Sequence, residues 1–316
     1  MRRLLHVSDL DLGVALGTAY DIGLFASGYE TRANSLATRF SLEQFAEPLV
    51  FGFKESNAVP QRQRNDEFYR NKWSIEPEIL SAEAPGAIAG ALQGKVNTGA
   101  DEVRIFLDIS SMSRSWYADA INWARFSPGP SRIILDFGYQ SGIYPDVYPS
   151  RTVAETTTLS GFEGQSDVRL QTVAIMGLGY DPVTPHAVLE DLQPDLKYAF
   201  LARGTSPAAL ALALSLNKAT LDEIDGDVVI LPLMSIQEAY RSLGEMSLPH
   251  AGIRNVVFVP LGPKPHVLAS LLVAAKNEEI TCLHVKGSHV AFTDVLPAFE
   301  VTACSVVFEA DNCESQ

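Results

Sequence analysis

The segment that begins at Asp108 places an acid, three hydroxyl groups and a base between an apolar stretch and a predicted helix; its polar residues are Asp108, Ser110, Ser111, Ser113 and Arg114. The N-terminus of a helix offers backbone N–H groups and partial positive charge, while hydroxyls and an arginine add further donors. The segment therefore predicts a binding site for an anion. The alternative to anion binding is that one serine only caps the helix. The role of Asp108 is also open: it could orient a ribose hydroxyl, accept a proton or bond the local backbone.

A second polar turn, Gly28-Tyr29-Glu30-Thr31-Arg32, follows an earlier apolar stretch and precedes a helix predicted up to residue 40. Gly28 permits a tight turn, and Tyr29 has a ring that can stack on a base. Glu30 can accept a hydrogen bond from a hydroxyl or an amine, and Arg32 can reach a phosphate. The alternative is that Thr31 caps the helix while Tyr29 packs against a neighbouring strand.

A basic stretch at Gln61–Arg64, continued by Arg70 and Lys72, is assigned to a polar loop. Such a run is usually a solvated surface. The other interpretation is a lid over the same cleft that the polar turns line.

The second half of the chain has weaker candidates. Gly179 and Tyr180 belong to a Gly-Leu-Gly-Tyr-Asp-Pro run that matches a dinucleotide fingerprint only in part. Lys264 and His266 follow a later apolar segment, but the neighbouring prolines remove N–H donors from that loop. We expect these four residues to be auxiliary, with one half of the chain specialised for the ligand.

Both halves follow one plan of apolar strand, Gly-Tyr-acid turn and helix. Gly28 and Gly179 are 151 positions apart (179 − 28), and Asp108 and Pro260, which end two later apolar segments, are 152 apart (260 − 108). Two further apolar segments in each half keep nearly this spacing. The pattern indicates internal duplication, with chance similarity between two α/β patterns as the alternative.

The strands are near-continuous apolar runs, which is typical of parallel strands buried on both faces. We therefore predict the α/β class, with two Rossmann-like parallel-sheet domains at residues 1–155 and 156–316. Right-handed crossovers put all strand-to-helix loops of one sheet on the same edge. The turns 28–32 and 108–114 should therefore face one cleft, where ligands of such sheets bind.

Composition limits the classes of function. The chain has 316 residues and a formal charge of −14, which disfavours binding to bulk nucleic acid or to an anionic membrane. Its three cysteines lack a Cys-x-x-Cys spacing, and no apolar run approaches the length of a membrane span. These features predict a cytoplasmic protein without a resident metal or cofactor.

The turn Asp108-Ile-Ser-Ser-Met-Ser-Arg114 resembles the strand-to-helix turn of CRISPR-associated Rossmann fold (CARF) sensor domains, which commonly reads Asp-x-Thr-Gly-Gly-Thr-Lys. Ser111 and Met112 stand where that family has its two glycines. The resemblance implies two domains that cradle an oligonucleotide messenger between them, and it implies a part in antiviral defence.

Three classes of function follow. The first is a sensor or accessory subunit that binds a nucleotide-like or phosphorylated ligand in a cleft of strand-to-helix loops, with a protein partner left open. The second is a hydrolase or phosphodiesterase acting on a nucleotide or a nucleic-acid end, with Glu30 or Asp108 as general base and Arg114 stabilising the developing charge. The third is a non-catalytic interaction protein.

Overall fold

The computed structural model describes residues 1–144, 153–204, 206–287 and 292–310, and the chain divides into two compact units. The first unit combines the chain up to position 145 with the chain from position 292 onward, and the second holds the positions between. This division differs from the predicted boundary of 1–155 and 156–316. The reason is that the last strand pairs with strands of the first unit, although it follows the second unit in sequence.

The first unit is built from seven strands and four α-helices within the described residues. The strands are β1 (Arg2–Asp9), β2 (Tyr20–Ser27), β3 (Phe45–Phe53), β4 (Glu78–Leu80), β5 (Glu102–Asp108), β6 (Arg132–Ile143) and β13 (Leu296–Ala310). The helices are α1 (Leu12–Gly17), α2 (Pro60–Trp73), α3 (Ala87–Lys95) and α4 (Arg114–Phe126).

The second unit has six described strands and five described α-helices. The strands are β7 (Val153–Thr158), β8 (Thr172–Leu178), β9 (Leu196–Arg203), β10 (Val228–Pro232), β11 (Asn255–Pro260) and β12 (Thr281–Gly287). The helices are α5 (Thr184–Leu192), α6 (Pro207–Leu216), α7 (Lys218–Leu221), α8 (Ile236–Ser247) and α9 (Lys264–Lys276).

Both sheets contain the same five-stranded parallel core. In the first unit its order is β4-β3-β2-β5-β6, and in the second it is β10-β9-β8-β11-β12. The chain leaves the centre of each sheet first in one direction and then in the other, as in doubly wound folds. The predicted α/β class with two Rossmann-like halves is confirmed, and the identical strand order supports the duplication.

Each core is extended by antiparallel strands beside its last parallel strand. In the second unit β7 pairs with β12, whereas in the first β13 pairs with β6 and β1 pairs with β13. Strand β13 therefore lies inside its sheet, bonded on both sides. Its residues Val306 and Phe308 are fully buried.

The segment after β2 departs from the predicted helix. It forms three short 3₁₀ turns, Thr31–Asn34, Ala37–Arg39 and Leu42–Gln44. The Thr38 hydroxyl donates to the Ser35 carbonyl at 2.7 Å, a local bond that competes with α-helical pairing. The basic stretch predicted as a loop instead lies within α2, where Pro60 takes the first position, which needs no N–H donor.

None of the helices in the described ranges combines the length and the apolar character that crossing a bilayer requires.

We expect Phe308→Ala to destabilise the first unit by about 3–5 kcal/mol, because it empties a buried ring position in the strand that joins β1 to β6. Hydrogen exchange should accelerate in β1 and β6 and stay unchanged in β8–β12. Phe299→Ala is the matched control, since this ring lies on the same strand and is 95% exposed. Equal losses in the two variants would contradict the burial of Phe308.

Candidate functional site

The two polar turns predicted to share one edge of the sheet lie against each other in the first unit. The Ser111 hydroxyl donates to Glu30 Oε2 at 3.2 Å. A Cβ atom added to Gly28 would lie 2.5 Å from Ser111 Oγ, so the close approach of the turns requires glycine at position 28. The structure therefore brings together the carboxyl ends of β2 and β5, at the switch in strand order.

Arg32 is engaged inside the protein rather than presented to a ligand. Its side chain is 2% exposed, and its Nε donates to Glu30 Oε2 at 2.8 Å. Its Nη1 donates to the Tyr139 hydroxyl at 3.1 Å and to the Gln140 carbonyl at 3.2 Å. Burial is the largest single influence and opposes the charged form, but Glu30, Tyr139 and Tyr144 together outweigh it and hold the Arg32 pKa well above its usual value. This arginine ties the turn after β2 to the end of β6.

The polar groups of the Asp108–Arg114 turn are likewise bonded within the protein. Asp108 is 1% exposed and accepts from the Ser110 N–H at 2.9 Å, while the Ser110 hydroxyl accepts from the Gln140 N–H at 2.8 Å. The Ser113 hydroxyl caps α4 by accepting from the Trp116 N–H at 3.2 Å. Arg114 is the first residue of α4 and is half-buried. The capping alternative thus holds for Ser113, and Ser110 supports β6.

The turn after β2 also contacts the segment that leads into β13. The Asp294 carboxylate accepts from the Thr31 N–H at 2.7 Å and from the Thr31 hydroxyl at 2.8 Å. The Arg32 N–H donates to the Val295 carbonyl at 3.1 Å, and the rings of Tyr29 and Phe292 lie 4.9 Å apart. Asp294, in the segment that leads into β13, therefore caps the 3₁₀ turn that begins at Thr31. The sequence had offered Thr31 itself as the capping residue.

One asparagine clamps the glycine turn in each unit. Asn65 of α2 donates through Nδ2 to the Gly28 carbonyl at 2.8 Å and to the Glu30 carbonyl at 2.9 Å. Asn217, between α6 and α7, donates through Nδ2 to the Gly179 carbonyl at 2.7 Å. The two asparagines are 152 positions apart (217 − 65), which matches the spacing of the other repeated features. This spacing would have revealed the pair from the sequence.

The first unit contains a cavity of about 570 Å³ beside these turns, a volume within the range of small-molecule sites. The 3₁₀ segment after β2, the first turns of α2, the end of β6 and the start of β13 form its walls. Four amide side chains line it: Asn34, Gln61, Asn65 and Gln140. Hydroxyl groups line it as well: Thr31, Ser35 and Thr38.

Arg39 and Arg64 give this cavity its charge. Both are exposed lining residues, and neither pairs with a carboxylate within the described part of the chain. Arg39 Nη2 lies 3.5 Å from Gln140 Oε1, and Arg64 Nη1 lies 3.5 Å from Gln61 Oε1. The cavity is therefore a cationic and amide-rich surface on a chain of net charge −14.

The ligand contacts predicted in the two turns support this cavity, whereas Thr31 of the first turn and Gln61 and Arg64 of the basic stretch line it. Gly28, Glu30 and Arg32 hold Asn65 and Gln140 in place through the bonds described above, and Ser110 holds the backbone of Gln140. Neither Glu30 nor Asp108, the candidate general bases, is among its lining residues. Sequence reasoning missed Arg39, Asn65 and Gln140 as site residues, and placed Arg64 in a loop.

In the second unit the turns that follow β8 and β11 lie against each other, but within the described residues they do not form a cationic cavity like the one lined by Arg39 and Arg64. A Cβ atom on Gly179 would lie 3.3 Å from the Leu261 carbonyl oxygen, and Tyr180 packs on the apolar core. Lys264 is the half-buried first residue of α9. His266 is 1% exposed, its Nε2 lies 3.0 Å from the Pro232 carbonyl oxygen, and burial lowers its pKa to about 4. His266 is thus a core residue rather than a ligand contact.

Within residues 1–144, 153–204, 206–287 and 292–310, no group of three or more His, Cys, Asp or Glu side chains is arranged to hold a metal ion. No protein-family model matches the chain, and a search of curated proteins finds no significant match.

We expect Gly28→Ala to destabilise the first unit by about 1–3 kcal/mol, because the new methyl group overlaps the Ser111 side chain. Adding Ser111→Gly removes the overlapping atoms and should recover much of this loss. A double-mutant cycle measured by chemical denaturation reports the coupling. Strictly additive effects of the two substitutions would contradict the contact.

His266 should make the second unit less stable in mild acid. Because its folded pKa is about 4 and its unfolded pKa is about 6.5, the unfolded chain binds a proton that the folded protein excludes. Its contribution is complete above the unfolded value and is lost as the pH falls towards 4. Between pH 7 and pH 5 this loss is on the order of 2 kcal/mol.

His266→Gln should reduce this pH dependence, because the amide can still donate to the Pro232 carbonyl but does not titrate. Urea unfolding at pH 7 and at pH 5, followed in the second unit, compares the two proteins. The same loss of stability in both would show that another group is responsible.

Proposed function

We propose that the first unit binds a nucleotide-like or phosphorylated ligand in the cavity lined by Arg39 and Arg64, and that the protein acts as a sensor or accessory subunit. The observation that carries the proposal is the pair of exposed arginines, unpaired with carboxylates in the described residues, among amide and hydroxyl groups. Guanidinium groups bind phosphate oxygens in a bidentate fashion, and the amides supply neutral donors around them.

The position of the cavity supports the proposal. Doubly wound sheets bind ligands outside the carboxyl ends of their strands, and the lining residue Gln140 lies near the carboxyl end of β6. Gln140 is bonded to Ser110, within the turn that carries the CARF resemblance. The ligand would thus lie beside that turn, with its anion on Arg39 and Arg64.

Binding without turnover is the form of the proposal that the site favours. Glu30 is held by Arg32 and Ser111, and Asp108 is buried and bonded to Ser110. Neither carboxylate lies in the cavity wall. Mass spectrometry of a small molecule released on denaturation would identify the natural ligand, and its recovery intact after incubation would agree with binding alone.

Replacing Arg39 or Arg64 by alanine should weaken the binding of a phosphate monoester by about 10- to 100-fold, the value of one or two charge-assisted hydrogen bonds. Ribose 5-phosphate and AMP serve as probes, with affinity measured by calorimetry. The folded state should be preserved, because both arginines are exposed.

Arg70→Ala is the matched control. Arg70 lies on α2 like Arg64, is exposed and pairs with Glu76, so the variant makes the same change in net charge away from the cavity. An equal loss of affinity in Arg70→Ala, or unchanged affinity in both cavity variants, would overturn the proposal. Failure of the wild-type protein to bind either probe at millimolar concentration would overturn it as well.

A further inference from the structure

Strand β13 contains a bulge at the rim of the cavity. Pro297 pairs with Gly142 and Val301 pairs with Gln140, so residues 298–300 stand opposite Ser141 alone. Bulges of this kind often lie next to functional sites, where they redirect a side chain. Here the bulge presents Phe299, which lines the cavity and is 95% exposed.

The bulge is fixed by buried polar side chains. Gln140, which is fully buried, donates through Nε2 to the carbonyls of Ala298 at 2.6 Å and Glu300 at 3.0 Å. The Ser141 hydroxyl donates to the Glu300 carbonyl at 2.8 Å. The main chain on both sides of Phe299 is therefore held in place, and the aromatic ring is the group that it projects outward.

Folding does not explain this arrangement. A phenylalanine that remains almost fully exposed gains almost none of the free energy that burial of its ring would supply. Its neighbours in the cavity wall are the cations Arg39 and Arg64 and neutral amides, a surface that suits the charged and polar parts of a ligand. A ring at the rim of such a surface suits the planar part, because aromatic side chains stack on bases with little dependence on base identity.

We propose that Phe299 is the specificity-determining residue of the cavity: it selects ligands that carry a planar aromatic group, such as a nucleobase, over other phosphorylated molecules. Gln140 is its positioning residue, because it holds both carbonyls of the bulge and also contacts Arg39. This inference rests on the function proposed above, since it requires the anion to lie on the two arginines.

The test compares AMP and UMP, which carry a base, with ribose 5-phosphate, which has a phosphate monoester without one. We expect the wild-type protein to bind the two nucleotides more tightly than the sugar phosphate. Phe299→Leu should weaken both nucleotides by about 5- to 100-fold and leave ribose 5-phosphate unchanged. Phe299→Tyr retains the ring and should retain the preference.

Gln140→Leu tests the positioning role. Loss of its bonds to the bulge should reduce the preference for AMP over ribose 5-phosphate, while Phe299 itself is intact. Thermal denaturation and hydrogen exchange of β13 show whether the variant is folded. If the folded variant keeps the full preference, Gln140 does not position the ring.

Failure of this inference can be told apart from failure of the proposed function. If all three probes bind equally and lose affinity in Arg39→Ala, the anion site stands and the role of Phe299 is overturned. If Phe299→Leu instead changes the association state in light scattering without changing the ligand preference, the ring belongs to a protein interface and the inference is again overturned. If no probe binds the wild-type protein, both proposals fail.

Discussion

The buried guanidinium of Arg32 is the constraint on which the first unit's site depends. A charge that is 2% exposed must be paired. One partner, Glu30, lies beside it in sequence, and the others, Tyr139 and Gln140, lie far along the chain at the end of β6. The Arg32 N–H also bonds the carbonyl of Val295, in the segment that leads into β13. Because removal of one partner leaves the other charge buried and unpaired, these contacts hold three segments in a fixed arrangement. The walls of the cavity follow from that arrangement.

The two units share a scaffold but differ in the chemistry that they carry. Each has the same order of parallel strands and an asparagine that clamps the turn after the first core strand. The residue before this asparagine is Arg64 in the first unit and Leu216 in the second, and the residue four positions before it is Gln61 in the first and Ala213 in the second. The bonds that maintain the turn are thus retained, while apolar residues take the places of Arg64 and Gln61 in the second unit. This contrast agrees with the expectation that one half is specialised.

A cationic cavity on a chain of net charge −14 also bears on which anions can enter. The acidic surface repels extended polyanions at long range, whereas a small anion is attracted locally once it reaches the arginines. The proposed ligand is therefore small. In the proposed site, the aromatic ring of Phe299 would add a contact that does not depend on charge and that discriminates by shape. Together these features favour recognition of a compact ligand with one charged and one planar end.

The fold class, the two Rossmann-like halves and the meeting of the turns at Gly28 and Ser111 could all be predicted from the amino-acid sequence. These follow from local periodicity and from the handedness of crossovers, which depend on neighbouring residues and on a general rule. Local patterns did not determine which residues line the cavity, because Arg39, Gln140 and Phe299 come from three segments that are far apart in sequence and meet only in the folded protein. Burial assigned Arg32, Asp108 and His266 to internal contacts, and no local pattern distinguishes a buried polar residue from an exposed one. The cavity wall depends on long-range contacts such as the pairing of β13 with β6, and the two strands carry no sequence signal for one another, so only the folded chain shows which side chains meet there.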